Sequence, residues 1–390
     1  MTSLRNWVRR IHLWLGLGIG LLFAILGVSG SLLIFYVEID AAINPAIRME
    51  ASAPPPGWDS PAWDRALATA REAWPEEAGR WSFEATGLQG SIAARHYPSM
   101  GGHHDGFRLV WFSPDGARVL RVEQWGGTLM TWLYDLHRNY LAGEFGNAAV
   151  GWTGVAMLIL LITGLFAWWP RGQWRKALAY KRKAAPTRRL RDLHKLTGLW
   201  SLVLLAVLAA TGVLLALPDE RSLLLGTIAA PVIPVPSPAS TPSGDPPISV
   251  ARASASAQAA LPEGRLTWID VPEPGEGAFR FRVRVPGDPI VRFPQSYVFV
   301  DQYSGEVLAV HDAREGNAST VINQWLRPLH DASVGGLTTR ILGVVIGFAP
   351  AILFITGLLR WRRIRAARQR RQAVAGVSPL AGPAGRRGSR

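Results

Sequence analysis

A run of 22 uncharged residues, Leu196–Leu217, constrains this chain more than any other feature. A helix needs about 20 apolar residues to cross a bilayer, so this run is long enough to span one. His194 stands just before the run, next to basic residues that include Arg191 and Lys195. Three further apolar runs resemble it, and together they predict four transmembrane helices. The predicted spans are 13–36, 148–169, 196–217 and 341–359.

Two spacings recur between the halves of the chain and indicate an internal duplication, roughly 1–180 and 181–390. In each case a histidine is followed at a fixed distance by a serine or threonine and then a glycine. Two of the histidines also end similar hexapeptides, WLYDLH and WLRPLH. The pairs are His12 with Ser29-Gly30 and His194 with Thr211-Gly212 at 17 residues, and His137 with Thr163-Gly164 and His330 with Thr356-Gly357 at 26 residues.

Lysine and arginine are concentrated in 1–11, 170–195 and 360–390, which hold 23 of the 42 basic residues and one acid, Asp192. The positive-inside rule places these segments in the cytoplasm and the two long connections in the periplasm. The basic pI of about 11.0 is then explained by topology and lipid headgroups rather than by nucleic acid. The predicted order is the cytoplasmic N-terminus with the first helix (1–36), a first periplasmic domain (37–147), the second helix (148–169), a basic cytoplasmic loop (170–195), the third helix (196–217), a second periplasmic domain (218–340), the fourth helix (341–359) and a basic cytoplasmic tail (360–390).

Each outer segment is predicted to be one helix packed on a small antiparallel sheet. The helices are expected at Ala62–Ala73 and Ile248–Ala260, and a Pro-Asp-Gly turn at 114–116 predicts a hairpin. The absence of cysteine excludes disulfides, iron–sulfur clusters and covalently attached haem. The predicted strands are Phe107–Phe112, Ala117–Gln124, Ala278–Val285, Ser296–Val300 and Glu306–Val310.

The four histidines in repeated spacing are the candidate functional residues. By the predicted topology, His12 and His194 lie near the cytoplasmic face, and His137 and His330 lie near the outer face. Ionisable side chains in or beside a span mark functional sites, and haem iron held between imidazoles of two helices is one such use. We therefore expect the pairs His12–His194 and His137–His330, with Gly16 and Gly198 leaving room for a flat ring one turn away.

Other uses of these histidines are possible. They could be interfacial anchors bonded to headgroups, or they could belong to a zinc site, which would require three or four converging ligands. The Ser/Thr-Gly pairs are expected to let helices approach closely, and contact of their hydroxyls with a cofactor is the less favoured alternative. The sequence His103-His104-Asp105 could bind a metal or an iron chelate, although a solvated loop is the simpler interpretation.

As a set, RRIHLWLGL, WLYDLH, RDLHKLTGLW and WLRPLH resemble the PepSY-associated transmembrane family of bacterial inner-membrane proteins. That family includes iron-uptake proteins and ferric-siderophore reductases. The resemblance implies an α-helical membrane protein with two repeats and two small α+β PepSY-like periplasmic domains. It also implies two non-covalent b-type haems, with His12, His194, His137 and His330 as axial ligands, that carry electrons to a ferric siderophore or another ferric chelate.

The sequence is compatible with two other classes of function. The chain could pass electrons to a different acceptor, such as a quinone, cupric ion or a periplasmic protein. It could also be a non-redox membrane protein whose PepSY modules bind peptides or regulate a protease. No flavin or nicotinamide fingerprint occurs in the sequence, so the electron donor is expected to be a separate cytoplasmic or membrane component.

Overall fold

The computed structural model describes residues 2–47, 56–76, 78–87, 90–99, 106–170 and 172–376. His103, His104, Asp105 and the tail beyond Gly376 lie outside these residues. The helices are α1 (Thr2–Leu33), α2 (Tyr36–Ile43), α3 (Ala62–Ala73), α4 (Leu129–Asn139), α5 (Gly143–Trp168), α6 (Trp174–Leu178), α7 (Pro186–Ala216), α8 (Pro218–Ile228), α9 (Val250–Ala260), α10 (Ala318–His330), α11 (Gly336–Gly347) and α12 (Ala349–Gly376). The strands are β1 (Gly79–Glu84), β2 (Ile92–Pro98), β3 (Arg108–Phe112), β4 (Val119–Gln124), β5 (Arg265–Val271), β6 (Phe279–Arg284), β7 (Ser296–Val300) and β8 (Val307–His311).

The chain forms two compact units. The first unit contains the three basic segments, and the second contains the eight strands that the described residues form. The helices α1, α5 and α7 each contribute residues to both units. The first unit comprises Met1–Gly27, Ala156–Val203 and Phe348–Arg390, and the second comprises Val28–Val155 and Leu204–Gly347.

Four segments of the described chain are helical, long and apolar enough to cross a membrane, which confirms the predicted number of spans. Their helices begin earlier than the apolar runs: α7 starts at Pro186, well before Leu196. Proline suits the first turn of a helix, and the Arg, Leu and Lys residues that follow are good helix formers. His12 and His194 therefore lie inside helices rather than at their mouths. The four segments are Leu4–Leu33, Gly143–Trp168, Pro186–Ala216 and Ser333–Gln372.

The fourth segment is interrupted at Phe348, between α11 and α12. Pro350 stands in the first turn of α12 and lacks the backbone N–H that would continue a helix through this point. The apolar run 341–359 had indicated one uninterrupted span here.

Two of the candidate histidines lie on short helices that were not expected from the sequence. The helix α4 bears His137 and starts at a cap in which the Thr128 hydroxyl accepts from the Thr131 N–H at 3.3 Å. The helix α10 ends at His330 and starts with the Asn317 side chain accepting from the Thr320 N–H at 3.1 Å. These capping bonds satisfy N–H groups that a helix start otherwise leaves without partners.

Within the described residues, the eight strands form one antiparallel sheet in the order β4-β3-β2-β1-β5-β6-β7-β8. The strands β1 and β5 pair at its centre, with Trp81 opposite Val271 and Phe83 opposite Ile269. The two small sheets expected from the sequence are therefore joined into one. The five predicted strands are present as β3, β4, β6, β7 and β8, whereas β1, β2 and β5 were missed.

One face of the sheet packs against α3 and α9 and forms the main core. Alanines at the contact, such as Ala66 on α3 and Ala257 on α9, are fully buried. The carboxylate of Asp64 on α3 accepts the N–H groups of Val250 and Ala251 at 2.6 and 3.0 Å, which ties the start of α9 to α3. Helix α3 has the predicted bounds, and α9 begins two residues later than predicted.

The opposite face of the sheet is rich in arginine. In β6, Phe279, Phe281 and Val283 are buried in the main core, so the alternating Arg280 and Arg282 lie on the other face. Asp270 forms an ion pair with Arg280. Burial opposes ionisation of Asp270, but Arg280 and Arg80 outweigh that effect and hold the pKa of the carboxyl below its usual value.

Candidate functional site

His12 on α1 and His194 on α7 lie side by side within the first unit. Their ring centroids are 6.2 Å apart and the ring planes cross at 88°. His137 on α4 and His330 on α10 form a second pair within the second unit, with centroids 6.0 Å apart and an interplanar angle of 43°. The structure thus brings together the pairs that the repeated spacings predicted.

Each Nδ1 atom of the first pair is bonded to a different neighbouring helix. The Nδ1 of His12 lies 3.2 Å from the Thr163 hydroxyl on α5. The Nδ1 of His194 lies 3.0 Å from the Leu353 carbonyl and 3.1 Å from the Thr356 hydroxyl, both on α12. These bonds fix the orientation of each ring on its helix.

The second pair repeats this arrangement. The Nδ1 of His330 lies 3.0 Å from the Leu208 carbonyl and 3.3 Å from the Thr211 hydroxyl, both on α7. The Nδ1 of His137 lies 3.1 Å from the Ser29 hydroxyl on α1.

The partners determine which ring nitrogen carries the proton. A carbonyl oxygen can only accept, so the Nδ1 atoms of His194 and His330 are protonated and donate. The Thr163 hydroxyl donates its proton to the Ile159 carbonyl at 2.7 Å and is therefore an acceptor for His12. When these three rings are neutral, Nε2 is the nitrogen that keeps the lone pair. Such Nδ1–H bonds are the usual means by which a protein orients a histidine that binds metal through the other nitrogen.

A glycine lies against the ring of each histidine. A Cβ atom added at Gly30 or Gly212 would lie 2.8 Å from the imidazole of His137 or His330 respectively. A Cβ at Gly164 would lie 2.9 Å from His12, closer than real Cβ contacts come. At Gly357 the same atom would lie 3.5 Å from His194, which is an ordinary contact distance.

Every Ser/Thr-Gly pair therefore contacts the ring of a histidine on another helix. The sequence had mainly suggested that these pairs let helices approach closely. A signal was present in the sequence, because each pair follows a histidine at a repeated distance. The contact, however, is made with a different histidine. The contacting pairs are Ser29-Gly30 with His137, Thr163-Gly164 with His12, Thr211-Gly212 with His330 and Thr356-Gly357 with His194.

The two other predicted glycines are less constrained. A Cβ at Gly16 would meet Leu160 at 3.8 Å, and one at Gly198 would meet Leu353 at 3.6 Å. His96 is buried in the sheet and stacked on Trp81, with ring centroids 4.6 Å apart. It lies on β2, whereas both histidine pairs lie on helices.

The separation of the rings fits a metal ion held between two imidazoles. Two bonds of about 2.0 Å, with about 1.1 Å from each nitrogen to its ring centre, put the centroids about 6 Å apart. Among the described residues, no group of three or more His, Cys, Asp or Glu side chains converges as a zinc site would require. Two imidazoles on separate helices are instead suited to a metal whose other ligands come from a macrocycle, as in haem.

Comparison with known proteins agrees with the membrane architecture. Residues 9–363 match the model of the PepSY-associated TM region. The chain belongs to the PepSY-associated transmembrane family. It is also similar to an uncharacterised protein of Pseudomonas aeruginosa, with 33% identity over 102 residues. That stretch covers 26% of this chain and 25% of the relative, so the match spans about a quarter of the relative's length.

Proposed function

We propose that this member of the PepSY-associated family is a dihaem electron-transfer protein that reduces a ferric siderophore or related ferric chelate. The proposal depends on one observation above all: two histidine pairs at 6.2 and 6.0 Å, with Nδ1 occupied by hydrogen bonds. His12 with His194, and His137 with His330, would each hold one non-covalent b-type haem.

A bound haem would supply reversible one-electron chemistry. The protein's own part is to orient the ligands. The Thr356 hydroxyl and the Leu353 carbonyl hold the Nδ1–H of His194, which fixes the direction of its Nε2. Thr211 and Leu208 do the same for His330.

In the proposed reaction one electron passes from a separate donor through the protein to the Fe(III) of the chelate. The iron becomes Fe(II), the donor loses one electron, and the chelator keeps its covalent structure. Ferrous iron is bound more weakly by hard oxygen ligands, so it leaves the chelate. The protein would thereby act as a membrane-bound oxidoreductase in iron uptake.

Haem content tests this proposal directly. Purified full-length protein made with ample haem is expected to contain about two b-type haems per chain by the pyridine haemochrome assay. Acid acetone should extract both, since the chain has no cysteine to hold haem covalently. The dithionite-reduced protein should then be reoxidised by some members of a panel of ferric chelates. A colourless, folded preparation would contradict the proposal, and reoxidation by quinone or cupric ion alone would point to another acceptor.

We also propose that the protein lies in the bacterial inner membrane with both termini in the cytoplasm and the sheet in the periplasm. The support is the concentration of Lys and Arg in 1–11, 170–195 and 360–390. Alkaline phosphatase fused after residue 270 or residue 100 is therefore expected to be active, and the same fusion after residue 180 inactive. A fluorescent protein that folds only in the cytoplasm should give the opposite pattern. Activity of the phosphatase at 180 would contradict this topology.

A further inference from the structure

Four arginines surround the ring of Phe293 in the second unit. The guanidinium carbons of Arg327, Arg292, Arg95 and Arg282 lie 5.0, 5.2, 5.4 and 5.7 Å from the ring centroid. We call these four residues the arginine cluster. Its members come from β2, β6, the loop after β6 and α10, so the fold itself concentrates positive charge here.

Aromatic rings lie against the arginines. Besides the contacts with Phe293, the guanidinium carbon of Arg95 lies over the ring of Trp268 at 4.7 Å, and that of Arg282 over the ring of Tyr297 at 5.1 Å. Such a cation–π contact uses the quadrupole of the aromatic system and does not itself occupy the N–H edges of the guanidinium. Those edges are the part of arginine that binds carboxylates in bidentate fashion.

Fewer carboxylates than arginines form ion pairs at the cluster. Arg292 is paired with Glu84 by two bonds of 2.8 and 2.7 Å. For Arg327, the carboxylate within ion-pair distance among the described residues is that of Asp331, at 3.9 Å and at the surface. Over the residues that the structure describes, no carboxylate lies within ion-pair distance of Arg95 or Arg282.

Burial makes this excess of charge costly. Desolvation lowers the pKa of Arg282, against the effects of Tyr297 and Asp270, and the neighbouring Arg280 and Arg95 lower it further. A half-buried group of like charges is stabilised when an anion binds among them. Binding of a negatively charged ligand at the cluster is therefore favourable.

The cluster also adjoins the second histidine pair. Arg327 precedes His330 by three residues on α10, and residues three apart lie on the same face of a helix. A ligand bound by Arg327 would sit beside the imidazole that we assign to haem iron.

We propose that the arginine cluster binds the carboxylate groups of an anionic, carboxylate-bearing ferric chelate and so selects such chelates over neutral or cationic ones. This inference rests on the proposed function, because it names the substrate class of that site. A chelate with several carboxylates matches a cluster of several arginines from separate elements better than a single charge would. Haem propionates present the same carboxylate chemistry, so the test must separate the two sources.

Gallium chelates provide the test, because Ga(III) resembles Fe(III) in its oxygen ligands but is not reduced. Binding of gallium citrate to the full-length protein is measured by calorimetry, with a gallium trihydroxamate that lacks carboxylates as the second probe. Arg282→Gln and Arg95→Gln are each expected to weaken citrate binding about tenfold or more, as loss of a charged hydrogen bond does. Binding of the trihydroxamate should be weak and unchanged.

Arg284→Gln is the matched control, since Arg284 lies on the same strand and face but bonds to the Asp288 carbonyl. Arg327→Gln changes a half-exposed residue of α10, so its effect cannot be ascribed to unfolding of the sheet. Equal citrate binding by wild type and all cluster variants would overturn the inference. So would loss of haem or a shifted haem potential in the variants with unchanged citrate binding, because the arginines would then serve the propionates. Arginine-dependent citrate binding by a protein without haem would leave the docking site standing and reject the electron-transfer proposal.

Discussion

Alanine at either His137 or His330 is expected to remove one and the same haem, and alanine at either His12 or His194 the other. The reason is geometric: the rings of each pair lie about 6 Å apart within one unit, so both rings of a pair would hold the same haem. Haem content should fall from about two to about one per chain in each single variant. Pyridine haemochrome and reduced-minus-oxidised spectra measure this, and the two haem signals should be lost in pairs.

The double variants sharpen the test. His137→Ala combined with His330→Ala should lose no more haem than either single change, whereas His137→Ala combined with His12→Ala should lose both. His311→Ala serves as the control, since that half-buried ring lies on β8 beside Tyr297. If His12→Ala and His137→Ala damaged one common haem, the pairing would be wrong.

Activity should separate the two haems by role. Loss of the His137–His330 haem is expected to abolish reduction of a ferric chelate in the periplasm while the remaining haem still accepts electrons from the donor. Loss of the His12–His194 haem should stop reduction by the physiological donor. Dithionite, which needs no donor protein, should still reduce the other haem directly.

Much of the architecture could be predicted from hydropathy and repeated spacing. Long uncharged runs marked the four spans, because a bilayer tolerates few other segments. The repeated positions of His12 and His194, and of His137 and His330, marked the candidate ligands. The spacing could not show which helices pack against each other. Thr163 follows His137 in the pattern, yet its hydroxyl bonds His12 on α1.

The missed strands had a different cause. In β5, six successive residues are buried, so the strand lacks the apolar–polar alternation that identifies a half-exposed strand. The pairing of β1 with β5 is a contact between distant parts of the chain, which local pattern does not encode. The arginine cluster did have a local signal in the alternating sequence FRFRVR at Phe279–Arg284, but its partners Arg95, Phe293 and Arg327 come together only in the fold.

Alanine at Gly164 is expected to damage the His12–His194 haem, while alanine at Gly357 leaves it nearly intact. Both glycines lie beside an imidazole of the same pair, so the two variants differ mainly in the distance between the added methyl group and the ring. A methyl group at Gly164 would come within 2.9 Å of the His12 ring, and at Gly357 within 3.5 Å of the His194 ring.

The Gly164 methyl group must displace the His12 ring and weaken its bond to Thr163. Loss of such an orienting contact typically lowers metal affinity about 10- to 100-fold. Haem titration into protein purified without haem, followed by absorbance, measures the affinity of this pair, and the His137–His330 haem in the same sample provides an internal reference. Both helices should remain folded, because alanine favours a helix over glycine by about 1 kcal/mol. Equal haem affinity in the two variants would show that the close glycine contact does not position His12.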